Sequence, residues 1–257
     1  MLREQKCVLI TGAGSGIGRA LAIEAAVRGM VVALCGRREA ALAVTRGLLD
    51  QAAQRHLIIP ADITDPQHRR RILDTICGQW GALDILVNNA GVIEGGAIEN
   101  FDDDAITRTF LTNVIAPIAL TRDLMPLLMA ATPSRVVNIG SVFGEIAYPS
   151  FSGYSASKFA LRGFSNALRR EWKKAGIGVT YAAPRATRTG AAAAFDELIA
   201  NAKMNVDDPA TVARQIWWAV ANGHDSIYAP APERIYVLLQ RIFPQIDWAL
   251  SRQAVSH

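Results

Sequence analysis

The chain has 257 residues, 51% of them hydrophobic and 19% charged, with a net charge of +4 and an isoelectric point near 9.1. This length and apolar content suit a single α/β domain with a large core. The sharpest basic cluster, Arg69-Arg70-Arg71, has no aromatic residues interleaved; it reads as the solvated face of a helix and argues against a nucleic-acid partner.

The four histidines are scattered without metal-ligand spacing, so no metal is expected. Cys7, Cys35 and Cys77 are odd in number and lie in or beside apolar stretches. They read as reduced, packed thiols, which points to a cytoplasmic protein. Met1 to Lys6 is polar and is not expected to be a signal peptide. No apolar run approaches a membrane span in length.

The first strand is read at Cys7-Val8-Leu9-Ile10, an apolar run suited to burial on both faces. Thr11-Gly12-Ala13-Gly14-Ser15-Gly16-Ile17-Gly18 follows, then a helical pattern from Arg19 to Arg28. Glycines between strand and helix let backbone N–H groups approach a pyrophosphate, with the positive end of the helix behind them. The strict G-x-G-x-x-G spacing is absent, and the same glycines also suit a plain turn.

The second strand, Met30 to Cys35, ends in Gly36-Arg37-Arg38-Glu39. At this position an acid takes the ribose hydroxyls of NAD, whereas arginine accommodates the 2′-phosphate of NADP. Arg37 and Arg38 therefore favour NADP(H) over NAD(H). In the other reading they cap the strand end and Glu39 takes the ribose.

Leu57-Ile58-Ile59 is the third strand and leads to Asp62-Ile63. Asp62 suits either an adenine amino group or a helix cap or turn. The fourth strand, Leu83 to Val87, runs into Asn88-Asn89-Ala90-Gly91, whose small residues admit a ligand close to the backbone. Asp102 to Ala131 reads as one helix with irregularities at Pro117 and Pro126. Asn113 falls within it, against propensity, which fits either a surface position or a backbone perturbation with a proton relay.

The fifth strand, Val136 to Ile139, ends at Gly140-Ser141, and the sixth, Val179 to Ala182, leads into Pro184. Strands alternating with helices predict a doubly wound parallel α/β sheet of Rossmann-like form. Ligands bind beyond the carboxyl ends of such strands, where these motifs converge.

Tyr154 and Lys158 stand at i and i+4, on one face of a helix. A free phenol ionises near about 10, and a lysine held beside it is expected to lower that value. The pair is then a proton donor and acceptor for a carbonyl/alcohol couple. Tyr148 has Ser152 at i+4 and lacks such a partner.

With these motifs in order, nearly the whole chain resembles the single-domain short-chain dehydrogenases/reductases. Thr11-Gly12, Gly16 and Gly18 match their cofactor loop, and Asn88 to Gly91 their N-N-A-G stretch. Asn113, Ser141, Tyr154 and Lys158 match their catalytic tetrad.

The resemblance implies a seven-stranded sheet, a nicotinamide dinucleotide, and a homodimer or homotetramer. It implies Tyr154 as proton donor, Lys158 as the group that tunes it and holds the ribose, Ser141 as donor to the substrate oxygen, and Asn113 in a water-linked proton path. The expected cofactor contacts are Gly12, Ser15, Gly16, Ile17, Gly18, Arg37, Arg38, Asp62, Ile63, Asn89, Ala90, Gly91, Tyr154, Lys158, Pro184, Thr187 and Thr189. The family commonly has Pro-Gly after the sixth strand; here Arg185 follows Pro184. Arg185 or Arg188 meets an acidic substrate group or a cofactor phosphate, or both point to solvent, and solvent is the preferred reading.

Residues 185–206 are expected to form a lid with an apolar wall, hence a hydrophobic small-molecule substrate. Residues 233–250 read as an amphipathic helix, with packing on the domain or a subunit preferred to membrane-surface contact. The expected activity is NADPH-dependent interconversion of a carbonyl and an alcohol. The alternatives are a non-catalytic NADP(H)-binding regulator and a lipid-modifying enzyme docked by its C-terminal helix.

Overall fold

In a computed structural model, residues 5–49, 56–189 and 206–228 are described. The expected lid segment from 190 and the helix at 233–250 lie outside those residues. The strands are β1 (Cys7–Thr11), β2 (Val31–Gly36), β3 (Leu57–Pro60), β4 (Ile85–Asn88), β5 (Ser134–Ile139), β6 (Ile177–Ala183) and β7 (Ser226–Tyr228). All pair in parallel in one seven-stranded sheet of order β3-β2-β1-β4-β5-β6-β7. The order reverses between β1 and β4, which opens the crevice where such sheets take ligands.

Helices cover both faces. Val8, Ile10, Val32 and Leu34 face α1 (Gly16–Val27), α2 (Glu39–Gly47) and the late helix Pro209–Ala221. Leu9, Ala33 and Cys35 face α3 (Pro66–Trp80) and the later Ala116–Asp123 helix. This period of two, apolar on both sides, is what a parallel sheet between helix layers demands. Each fully buried Leu or Val stabilises the fold by about 1.5–3 kcal/mol before entropy is counted.

Local chemistry sets the helix ends. Asp65 caps α3, its Oδ1 accepting from the backbone N–H groups of Gln67 at 2.7 Å and His68 at 3.4 Å, with Pro66 in the first turn. Gly81, at φ 71°, closes the other end in the left-handed conformation that glycine tolerates.

The expected single helix from Asp102 to Ala131 is instead interrupted. It runs as α4 (Asp103–Phe110), a π-helical turn (Leu111–Ile115), α5 (Ala116–Asp123) and α6 (Met125–Ala130). Pro117 and Pro126 fall in the first turns of α5 and α6, where a missing N–H does little harm. The π-turn carries Asn113, buried at 1% exposure, which excludes the surface reading.

α7 (Ser152–Glu171) carries Tyr154 and Lys158. The last helix, α8 (Pro209–Ala221), buries Trp217, whose indole N–H donates to the Leu21 carbonyl of α1 at 3.0 Å.

Two further expectations are corrected. Arg69 is not solvated: it is buried at 7% exposure, pairs with Asp123 at 3.0 Å and donates to the Ile63 carbonyl. Of the cysteines, Cys7 and Cys35 are buried but Cys77 is exposed. Among the described residues no helix is long and apolar enough to cross a membrane, and no His, Cys, Asp and Glu cluster suits a metal.

Candidate active site

The cofactor side of the crevice is made of backbone. Gly12 and Gly16 have φ of 67° and 53°, a region hostile to side chains. Gly18 has an ordinary helical backbone, but a Cβ there would collide with the Gly12 carbonyl oxygen and lie 2.5 Å from Asn89 Nδ2. A Cβ on Gly16 would come within 2.9 Å of Thr189, so the glycine loop touches the loop after β6.

Thr11 ties the glycine loop to β4. Its hydroxyl accepts from the N–H groups of Asn89 and Ala90 at 2.9 and 3.0 Å and donates to the Val87 carbonyl. Asn89 returns a bond to the Thr11 carbonyl at 2.9 Å. Arg19 and Thr45 brace the loop from behind, donating to the Gly14 and Ala13 carbonyls.

A cleft of about 710 Å³ follows the strand ends, lined by Gly12, Ser15 to Gly18, Arg37, Arg38, Asp62, Ile63, Asn89 to Gly91, Tyr154, Lys158 and Thr189, among others. Arg37 and Arg38 are exposed at its rim. Asp62 is a turn residue that also faces the cleft: its Oδ1 accepts from the Thr64 backbone at 3.0 Å and hydroxyl at 2.8 Å. Burial pushes its carboxyl up, but the two Thr64 donors and the charge of Arg37 outweigh burial and leave its pKa lowered.

The opposite wall is made of buried side chains. Tyr154 and Lys158 are each 5% exposed and Ser141 9%. Lys158 Nζ lies 5.6 Å from the Tyr154 ring centroid and donates to the Ile139 carbonyl at 3.1 Å. Asn113 is clamped to the loop after β4, its Oδ1 accepting from Val92 N–H at 2.8 Å and its Nδ2 donating to Val92 O at 2.9 Å. The same Nδ2 reaches Ser157 Oγ at 3.1 Å, and Ser157 donates to the Tyr154 carbonyl at 2.7 Å. Gly91 keeps this wall open, since its Cβ would lie 3.1 Å from Asn113 Oδ1 and 3.6 Å from Lys158 Nζ.

One electrostatic expectation is reversed. The lysine was expected to draw the Tyr154 pKa down; burial instead pushes it up to about 12, against a smaller opposing effect from the Ser141 hydroxyl bonded to it. Burial also brings Lys158 down to about 8. The phenol is protonated at neutral pH and the lysine still mostly cationic.

A smaller recess of about 80 Å³ adjoins Tyr154, lined by Ile17, Ile93, Ser141, Val142, Phe143 and Pro184 to Thr187 with Thr189. Phe143 stacks on Tyr148 at 5.3 Å and meets Tyr154 edge-on at 6.3 Å. Of the expected cofactor contacts, Pro184 and Thr187 line this recess rather than the large cleft, and Thr189 lines both.

Arg185 does not point to solvent: it pairs with Asp207 at 2.7 Å, both groups about 15% exposed (14% and 16%). Backbone bonds from Asp207 N–H to Ala186 and from Arg188 N–H to Asp207 accompany the pair. The arginine that stands in place of the expected glycine thus ties the loop after β6 to residue 207.

Sequence reasoning missed Ser157 and Arg19, and it placed Thr11 in the cofactor loop without its tie to β4. Only Ser157 carried a signal, lying on the turn between Tyr154 and Lys158. The roles of Thr11 and Arg19 depend on carbonyls whose directions the sequence does not display.

A strand-end cleft thus lies beside a buried phenol and ammonium. A family model described as short chain dehydrogenase matches residues 6–199, and the chain belongs to that family. It is 34% identical over 265 residues to the dehydrogenase/reductase SDR family protein 7-like of Anopheles gambiae, covering 97% of this chain and 83% of the relative. It is 33% identical over 181 residues to the 3-oxoacyl-(acyl-carrier-protein) reductase FabG of Salmonella typhimurium, covering 70% and 73%. A short chain dehydrogenase/reductase from Burkholderia phymatum, solved in complex with NAD, superimposes with a TM-score of 0.86 at 26% identity, covering 94% of this chain and 95% of that one.

Proposed function

We propose that the protein interconverts a carbonyl and an alcohol on an apolar small molecule, with NADP(H) preferred to NAD(H). The observation that carries this reading is the buried Tyr154 hydroxyl, bonded to Ser141, with Lys158 behind its ring and the dinucleotide-sized cleft in front. The glycine loop fits the diphosphate of a dinucleotide: side chains at Gly12, Gly16 or Gly18 would strike Asn89, Thr189 or the Gly12 carbonyl, so only bare backbone can make this tight turn beside the cleft at the N-terminus of α1. A bound reduced nicotinamide supplies a hydride to the carbonyl carbon.

The chain's own residues manage the proton. Tyr154 gives its phenolic proton to the substrate oxygen, and the high pKa makes it an acid kept loaded at neutral pH. Ser141 donates to the same oxygen as negative charge builds there. The Lys158 ammonium stabilises the phenolate left behind. Asn113, held by Val92, keeps the path beside Lys158 in place. Arg37 and Arg38 at the rim support the 2′-phosphate reading, and the apolar recess of Ile17, Ile93, Val142 and Phe143 supports an apolar substrate. The FabG relative's name, a reductase of an oxo group, agrees with this direction. We propose further a cytoplasmic protein, on the strength of its cysteines, none of them in a disulfide, and a homodimer or homotetramer, on the strength of its family.

The test is oxidation of NADPH and of NADH against a panel of ketones and aldehydes, with Tyr154→Phe as control. Turnover that prefers NADPH and disappears in the variant is expected. A variant as active as its parent removes Tyr154 from the mechanism.

A further inference from the structure

Behind Ser141 and Lys158 lies an ion pair between a buried carboxylate and a half-buried guanidinium that the proton chemistry does not use. Glu145 follows the short 3₁₀ turn (Val142–Gly144) that Ser141 begins. Its side chain is fully buried (0% exposed), and its Oε2 accepts from Arg162 Nη1 at 2.5 Å. Glu145 stands four residues beyond Ser141, and Arg162 stands four residues beyond Lys158. One ion pair therefore spans the turn that bears Ser141 and the helix that bears Tyr154 and Lys158. The Arg162 guanidinium also lies 5.0 Å from the Phe159 ring centroid, which limits its swing.

β6 adds a third member. Tyr181, 1% exposed, puts its hydroxyl into the space that a Cβ at Gly140 or at Gly144 would need. Gly140 and Gly144 flank the Ser141 turn, so the turn is moulded around that phenol. A Cβ at Gly144 would also lie 2.9 Å from the Lys158 carbonyl, so turn, strand and helix meet without a gap. Burial most of all, and then the Glu145 carboxylate, pushes the Tyr181 phenol up, while the Ser141 backbone N–H opposes them.

We propose that Glu145 and Arg162, with Tyr181 packed against Gly140 and Gly144, are positioning residues that hold the Ser141 turn against α7 and so keep the Ser141 and Tyr154 hydroxyls together. This rests on the reading of those two hydroxyls as the groups that meet the substrate oxygen. A three-residue 3₁₀ turn has few bonds of its own. An uncompensated carboxylate in this place would pull the turn toward water. A displacement of about one ångström at a reacting group costs up to about a hundredfold in rate.

The experiment compares Glu145→Gln, Arg162→Met, Arg162→Lys, Tyr181→Phe and the Glu145→Gln/Arg162→Met double variant with the parent. It measures kcat, KM for NADPH and for a carbonyl from the panel, and melting temperature. Glu145→Gln and Arg162→Met should each lower kcat by roughly tenfold or more, with KM for NADPH within about twofold of the parent. Arg162→Lys, which keeps the cation, should recover most of the loss. The double variant should be no worse than the poorer single, as for groups acting as one unit. Tyr181→Phe, which keeps the ring, should lower kcat by about threefold.

Parent-like kcat in Glu145→Gln, a rise in KM for NADPH that tracks the loss, or additive losses in the double variant would each overturn the proposal. If the charge-removing variants do not fold, Tyr181→Phe decides it: an unchanged kcat there overturns it. If the parent turns over no carbonyl, the functional reading fails on its own. The positioning claim is then judged by the crystal structure of Glu145→Gln, where Ser141 and Tyr154 still within hydrogen-bond distance would overturn it and a displaced turn would support it.

Discussion

The two walls of the cleft are built from opposite materials. The wall of β1, β2 and β3 presents glycines and main-chain groups, with Arg37 and Arg38 exposed at its edge. The wall of β4, β5 and β6 presents buried polar side chains that hold one another. Within it, Asn88 donates to Thr121 and to Asn138, its register partner, and Asn138 donates to Ser165, at 2.9, 2.8 and 2.9 Å. One wall therefore offers approachable backbone, the other fixed side chains in a low dielectric. Damage to the first should appear in cofactor affinity, and damage to the second in the chemical step.

The largest expected effect tests that division directly. Tyr154→Phe removes one oxygen and leaves the ring that packs on Phe143. Proton transfer from a placed group contributes about 10²–10⁴-fold. The variant should therefore lose roughly 10³-fold in kcat, while its dissociation constant for NADPH, read by fluorescence titration, stays within about threefold. A matching loss of affinity would erase the distinction between the walls.

Gly18→Ala tests the other wall. The new methyl meets the Gly12 carbonyl oxygen and Asn89, atoms that cannot yield without moving the loop. Overpacking of this kind costs about 1–3 kcal/mol, and the shifted loop should weaken cofactor binding by about a hundredfold at that upper end. Calorimetric titration with NADPH measures it. Unchanged affinity would mean that the backbone does not approach the diphosphate there.

How far each wall was legible in the sequence follows from the same contrast. The glycine wall could be read residue by residue, because a missing side chain is itself a letter in the sequence. Tyr154 and Lys158 were legible because a helix fixes their spacing. The support of the second wall was not, because Glu145 and Arg162 are 17 positions apart, and only the fold makes them partners.

Arg69 was misread for the same reason: its partner Asp123 is 54 positions away, and the run of arginines around it suggests solvent. The Tyr154 pKa was misjudged because sequence shows a neighbouring charge but not burial. β7 was not read as a strand: Ser226–Tyr228 is three residues long and only half-buried, too short for a period of two to show. α8 was overlooked although Asp208, whose carboxylate accepts from Thr211 N–H, and Pro209 mark its start.

Lys158 offers a smaller effect, read in stability. Its folded pKa, about 8, lies below the ordinary lysine value of 10.5. Below about 8 both states carry the proton, and the folded state bears the full cost of the buried charge. Between about 8 and 10.5 the unfolded chain binds the proton and the folded one does not, so stability rises with pH across that window. Tyr154 acts in reverse from 10 to about 12, where the unfolded phenol ionises first and stability falls. Urea unfolding of the parent at pH 7 and pH 10, against Lys158→Met, should show a rise of about 2 kcal/mol that the variant lacks. Parallel curves would mean that the ammonium is better solvated than its burial indicates.

The smallest expected effect belongs to the exposed edge of the first wall. Arg37 is exposed and solvent screens its charge, so its loss should weaken NADPH binding by about tenfold rather than a thousandfold. NADH binding should change by less than about twofold, because Arg37 would then meet no phosphate. The salt dependence separates this from a general disturbance of the loop. A guanidinium that pairs with a phosphate dianion loses its advantage as ionic strength rises, so parent and Arg37→Ala should converge in NADPH affinity near about 1 M salt. Equal losses for the two cofactors, or a gap that persists at high salt, would assign Arg37 to shaping the strand end and leave the 2′-phosphate to other groups.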